Sequence, residues 1–320
     1  MDAWPQTLSV VIPTYCREQV LLETIGYLAE QSGDTEGVVE ILLIDQTPNH
    51  EKATEKQLCQ WDDAGIVRWH RLEQAHLTRA MNTGLLVAKA EIVLFVDDDI
   101  IPGPDLLANH LQVYQNWPGI MAVVGQILQP GEEPEDIEYA PHGGMLRRFM
   151  DFPFKSTRAT FVENAMAGNF SMVRKKAVQL GGFDERFIPP VASRFESEFA
   201  KRIIRSRQKI RFEPTASIRH LQVQTGGTRT KGTHLASMSP RYGVGDYYFA
   251  LCQGAGWERV WYVIKKPFRE VRTKFHLLHP WWIPVKLVGE CRAFIQAIFL
   301  LKKGPLYLQI ADDCKRREGL

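Results

Sequence analysis

Four short apolar runs, "LSVVIP" (8–13), "VVEILLID" (38–45), "IVRWHR" (66–71) and "EIVLFV" (91–96), alternate with segments of helical period. Runs this short, closed by proline or a polar residue, suit strands buried on both faces. After the first, Leu21, Ile25 and Leu28 recur at helix spacing; before the fourth, Leu77, Met81, Leu85 and Ala88 share one helical face. "EKATEKQLCQWDDAG", after the second, has the composition of a polar surface helix ending at Gly65. Strand–helix alternation of this kind restricts the chain to an α/β fold with a mostly parallel central sheet.

Ligands of such sheets bind beyond the carboxyl ends of the strands. Those ends hold Thr14 to Arg17, the run Asp45-Gln46-Thr47, and the triple Asp97-Asp98-Asp99. Three adjacent carboxylates raise one another's pKa and oppose folding unless positive charge sits among them. A solvated turn is the plain explanation, and a divalent cation the sharper one. Convergence of three polar clusters on one crevice favours the cation. Strand alternation sends Asp97 and Asp99 to one side and Asp98 to the other.

Beyond the strand "MAVVGQI", residues 129–160 are rich in Pro and Gly without a clear period, an irregular excursion. Order returns with "GNFSMVRKKAVQLGGF", a strand or turn and then a short helix closed by Gly181-Gly182. "SRFESEFAKRIIRSR" predicts a helix and "KIRFEPTASIRH" a pair of strands. The expected division is 1–244 as one unit, with halves 8–128 and 129–244, and 245–320 as a helical appendage.

Charge is uneven. Residues 257–320 carry 13 Lys and Arg against 6 Asp and Glu, while the first 256 carry 26 against 31. An acidic body with a basic, aromatic tail points to an anionic surface and not to nucleic acid. Five scattered cysteines (Cys16, Cys59, Cys252, Cys291, Cys314) show no close pair, which suits reduced thiols in a cytoplasmic protein. The N-terminal residues lack a signal-peptide pattern, and no apolar run reaches the roughly 18 residues of a membrane span.

The motifs "VVIPTYCRE", "ILLIDQT", "LTRAMNTGLLVAKAEIVLFVDDDIIP", "AGNFSMVRKKAVQLGGFDERF" and "RFESEFAKRI" occur in order over about 8–235. Together they resemble glycosyltransferase family 2, the inverting, nucleotide-sugar-dependent enzymes of the GT-A fold, a Rossmann-like architecture. The resemblance implies that Pro13, Thr14 and Arg17 hold the nucleotide and that Asp45 meets a uracil or thymine base. It implies that Asp97 lies near the ribose, Asp98 belongs to the same nucleotide site, and Asp99 ligates Mn²⁺ or Mg²⁺. His220 is a candidate third ligand or diphosphate donor, and imidazole favours Mn²⁺. Arg79 is a candidate diphosphate contact, although Met81 stands where relatives have arginine. Cys16 replaces a usual Asn and suggests a small buried thiol. Arg229, bracketed by Gly226-Gly227 and Gly232, suits a loop closing over phosphate.

For the catalytic base the resemblance implies Glu196, aligned on Arg202 where relatives carry Asp. Glu198 is the rival. Residues two apart on a helix face nearly opposite ways, and Glu198 has Arg202 one turn later for an ion pair. The implied function is sugar transfer from a UDP- or dTDP-sugar to a glycan or lipid-linked acceptor in cell-surface polysaccharide synthesis. The chain would be cytoplasmic and peripheral at the inner face of the plasma membrane. Two alternatives are a catalytically inactive nucleotide-sugar-binding relative and a sugar nucleotidyltransferase; "PTYCRE" lacks the latter's glycine-rich signature.

Overall fold

A computed structural model describes residues 7–140, 146, 152–187, 193–223, 225–227 and 234–308. Strands β1 (Leu8–Thr14), β2 (Val38–Asp45), β3 (Arg68–Arg71) and β4 (Ile92–Val96) pair in parallel in the order β3-β2-β1-β4. Helices α1 (Gln19–Asp34), α2 (Lys52–Asp63) and α3 (Leu77–Val87) supply the crossovers. Leu21, Ile25 and Leu28 of α1 are all buried, the three positions that the helical spacing marks. On β4, Val93 and Phe95 enter one core layer, while Ile92, Leu94 and Val96 enter the other. Both faces are therefore covered, which accounts for near-continuous apolar strands.

The rest of the sheet is mixed, so the parallel order is a property of its first half. Strand β5 (Ile100–Pro102) and helix α4 (Leu106–Asn116) lead to β6 (Ala122–Leu128). Two more strands, β7 (Thr160–Val162) and β8 (Asn169–Val173), precede helices α5 (Arg174–Gln179) and α6 (Phe195–Arg205). Strand β8 runs antiparallel between β4 and β6. The segment expected to be two strands is one, β9 (Ile210–His220), parallel to β6 and antiparallel to β5 and β7. Its partner register jumps from Glu213 to Ser217 where β6 passes from Gly125 to Gln126, so Pro214 sits in a bulge and does not end the strand. A Cβ on Gly125 would lie 2.0 Å from the Ala216 carbonyl oxygen, so only glycine permits that approach.

Four further helices follow: α7 (Val244–Gln253), α8 (Gly256–Val271), α9 (Lys274–Leu278) and α10 (Trp282–Lys303). Tyr247, Tyr248 and Phe249 of α7 join the same core layer as Phe195 and Phe199 of α6. No helix among the described residues is long and apolar enough to cross a membrane.

One polar network lies inside the second half of the sheet. Asn169 donates to the carbonyls of Gln126 and Ala216 and accepts from His110 Nε2 at 2.8 Å. His110 Nδ1 meets the Ser171 hydroxyl at 2.9 Å, and Tyr114 completes the chain at 3.0 Å. Burial pushes the His110 imidazole down from 6.5 to about 4. The unfolded chain therefore takes up a proton that the folded chain refuses, and this contribution, complete above the unfolded value, drains as pH falls toward 4. Denaturant titrations should lose about 2–3 kcal/mol from this group between neutral pH and the mid-fours. In His110→Asn that acid-dependent loss should shrink by the same amount, and an unchanged loss would place the acid sensitivity elsewhere.

Candidate active site

The carboxyl ends of β1 and β4 open onto a cleft of about 390 Å³, lined by Pro13, Thr14, Tyr15, Arg17, Gln46, His76, Leu77, the three aspartates, His220 and Gly227. The register of β5 against β9 sets Ile100 opposite His220, which brings that imidazole beside Asp99. His220 Nε2 lies 3.0 Å from Asp99 Oδ1 and 3.7 Å from Asp97 Oδ2. Its Nδ1 is 3.0 Å from Gln129 Oε1. Both partners are acceptor oxygens, so Nδ1 donates to Gln129 and Nε2 donates to Asp99; Nε2 is the atom that would exchange its proton for a cation held among the carboxylates.

Asp97, Asp99 and His220 each offer one ligand atom, all within 4.8 Å of one another. Two carboxylate oxygens and an imidazole nitrogen converging in this way fit a hard-to-borderline divalent cation such as Mn²⁺ or Mg²⁺. Asp97 reaches this position because β8 begins opposite it: a Cβ on Gly168 would stand 2.3 Å from Asp97 Oδ2.

Positive charge inside the triple comes first from Arg17. The guanidinium is 4% exposed and bridges Asp98 (Nε–Oδ1, 3.1 Å) and Asp99 (Nη2–Oδ2, 3.0 Å). Its Nη1 donates to the carbonyls of Val223 and Thr225. Asp98 also accepts from the Thr14 hydroxyl at 2.7 Å. Burial pushes the Asp98 carboxyl up to about 6, against the pull of Arg17 and Thr14. Burial works the same way on Asp99, yet the His220 hydrogen bond and the Arg17 charge hold it below its ordinary value. The alternation inferred from sequence is kept: Asp97 and Asp99 face His220, and Asp98 faces Thr14.

Two predicted nucleotide contacts stand apart from this cleft. Asp45 is fully buried, and its carboxylate accepts from Trp69 Nε1 (2.9 Å) and the Thr47 amide (2.8 Å) and meets His50 Nε2 at 3.0 Å. Its neighbour Gln46 lines the cleft in its place. Arg79 pairs with Glu185 (Nε–Oε2, 3.2 Å), which Asn82 also holds. Cys16 is exposed and not buried, and its backbone is left-handed at φ 52°. Arg229 lies outside the described residues. Tyr15 and Gln46 belong to strand-end clusters that the sequence places at the crevice, though neither was given a role of its own; His76 was not singled out. His76 had a local signal, as an N-cap that accepts from the Arg79 amide directly before the amphipathic run of α3.

A second cleft of about 270 Å³ shares Pro13, Leu77 and Asp97 with the first and holds Glu196. Burial pushes the Glu196 carboxyl up to about 7, with Arg194 opposing the shift and Asp97 adding to it. Arg194 precedes α6 in a left-handed conformation (φ 73°) and is held by Asp246 at 2.7 Å. Glu198, 1% exposed, turns the other way. It pairs with Arg202 at 2.8 Å and accepts from Gln253 and Tyr307.

A family model described as Glycosyl transferase family 2 matches residues 9–181. No curated protein matches the chain. Among solved structures, GalNAc-T7 with UDP, GalNAc and Mn²⁺ is similar at a TM-score of 0.56 and 16% identity, over 80% of this chain and 52% of its own. Mannosyltransferase PcManGT from Pyrobaculum calidifontis, in complex with GDP-Man and Mn²⁺, is similar at 0.53 and 18% identity, over 95% and 80%. The chain thus spans about half the length of the first and most of the second; at such identities the likeness is one of fold.

If the three-residue cluster binds a cation, Asp99→Ala and His220→Ala should each weaken Mn²⁺ binding in calorimetric titration. The loss should match or exceed the ~10–100-fold expected for an outer partner such as Gln129. Parent-like Mn²⁺ affinity in both variants would remove the metal assignment.

Proposed function

Because the chain belongs to glycosyl transferase family 2, we propose that it moves a sugar from a nucleoside-diphosphate sugar to an acceptor hydroxyl in one inverting displacement. The observation that carries this reading is the pair of adjoining clefts: the acidic cluster lines one, Glu196 the other, and Asp97 belongs to both. The nucleotide would occupy the first cleft and the acceptor the second, dividing the work between residues 8–128 and 129–244. A UDP- or dTDP-sugar remains the donor of this reading, its base facing Tyr15 and Gln46 instead of the interior Asp45.

Glu196 takes the proton from the acceptor hydroxyl as that oxygen attacks the anomeric carbon from the face opposite the diphosphate. The new C–O bond forms while the sugar–phosphate C–O bond breaks, and the electron pair leaves on the diphosphate oxygen. A carboxylate with its pKa near 7 is matched to this task at neutral pH. Asp97, Asp99 and His220 would hold Mn²⁺ or Mg²⁺, whose chemistry is Lewis-acid stabilisation of the leaving diphosphate. Arg17 holds Asp99 in the orientation this ligation needs. The acceptor of the reading is a glycan or lipid-linked glycan of the cell surface, met at the inner face of the plasma membrane.

Glu196→Gln should keep its fold and its nucleotide affinity while transfer falls about 100-fold or more. In the parent, transfer should rise with pH through about 7, where the Glu196 carboxyl loses its proton, and the variant should lack this limb. Parent-rate transfer by Glu196→Gln would overturn the assignment. Nucleotide binding without transfer in the parent would favour a binding-only relative. Thermal shifts with UDP, dTDP and GDP, with and without Mn²⁺, rank the base, since binding to the native state raises stability.

A further inference from the structure

Helix α8 is turned inside out. A surface helix normally buries an apolar stripe and shows its charges to water. Here Lys266 is 1% exposed, with its ammonium 2.8 Å from Glu290 of α10, which Lys286 also pairs at 2.9 Å. On the opposite side Trp257, Trp261, Ile264 and Phe268 follow one another by four, three and four residues and are 85%, 57%, 49% and 63% exposed. These intervals keep them on one face, about 16 Å long. Leu277 and Leu278 of α9, next along the chain, are 81% and 73% exposed.

The exposed charges of this stretch are of one sign. Lys265, Arg269, Arg272 and Lys274 are exposed, whereas Glu258 and Glu270 are partly covered. Glu258 accepts from the Leu146 amide, and Glu270 lies 3.8 Å from Lys286. Lys265 falls beside the aromatic stripe at 100° per residue, Arg269 lies further round, and Arg272 caps the helix at its C-terminal end. Lys265 reaches over the Trp261 ring at 4.4 Å.

We propose that α8 docks in the plane of an anionic lipid bilayer, with Trp257, Trp261, Ile264 and Phe268 in the acyl boundary and the flanking cations at the headgroups. Interfacial helices combine Trp and Phe with Lys and Arg in this arrangement, and tryptophan settles at headgroup depth. Lysine stems cover apolar surface while their ammonium groups stay wet. A second copy of the chain fits less well. Protein interfaces are depleted in lysine, and a two-fold contact through this face would set like charges against each other. The docking surface gives the membrane-borne acceptor of the reading above a structural basis, and its test requires no sugar transfer.

The full-length chain, without donor, is sedimented with vesicles of phosphatidylcholine alone or mixed equally with phosphatidylglycerol. Binding is expected to the anionic vesicles at low salt, with little to the neutral ones. Lys265→Gln and Arg272→Gln should each lower the partition coefficient about fivefold. The pair Trp261→Ser and Phe268→Ser should abolish binding with unchanged melting temperature and unchanged nucleotide affinity in solution. A parent that stays with the supernatant, or a double variant that binds as the parent does, overturns the proposal. A parent dimer that the double variant converts to monomer overturns it in favour of a second copy.

Discussion

One buried guanidinium makes the acidic end of the fourth strand possible. Arg17, at the end of the first strand, contacts carboxylates of Asp98 and Asp99 more than eighty residues away and two carbonyls more than two hundred away. A buried carboxylate left without its partner costs about 3–5 kcal/mol, so Asp98 and Asp99 could not stand in the interior on backbone hydrogen bonds alone. Because the same guanidinium takes the carbonyls of Val223 and Thr225, it also pins the chain after the ninth strand over the cleft. Placement of the imidazole, the strand-end acids and the loop beyond them is thus one electrostatic arrangement.

What the sequence made legible was local. Strand positions followed from apolar runs, and α1 buries the three residues that its period selects. The opposite facing of Glu196 and Glu198 was also local, since it follows from two residues on one helix and a partner one turn away. Most of what stayed hidden was non-local. Asp45 looked like a strand-end ligand residue, but His50, five residues on, and Trp69, on the neighbouring strand, close over it. Arg79 is taken up by Glu185, and Gln46 gains its place through the His76 amide it accepts from. Pro214 read as a break because a bulge around a partner glycine has no single-sequence signature. Positive φ at Cys16 was invisible for the same reason.

The α10 helix follows the inverted plan of α8 only in its first half, since Ala293, Ala297 and Leu300 are buried further on. Lys286 and Glu290 lie inside, while Val288, Ile295 and Phe299 are exposed. The two buried lysines are balanced by Glu290 at close range and by Glu270 and Asp246 at 3.8 to 4.0 Å, and removing either partner would leave a buried charge uncompensated. Through Asp246, which meets both Arg194 and Lys266, the same cluster touches the start of the helix that carries Glu196. The appendage and the second cleft therefore share their charged contacts.

His220 stands 121 residues after Asp99, with β6, β8 and most of β9 between them. At translation rates of about 5–20 residues per second, the ribosome delivers the two carboxylates roughly 6–25 s before the imidazole. Throughout that interval Arg17 has already been made, so the counter-ion of the acids precedes them in synthesis. Until then the cluster has only its carboxylate oxygens, and the nitrogen that completes it arrives last. Order of synthesis thus separates charge neutralisation from ligand selection.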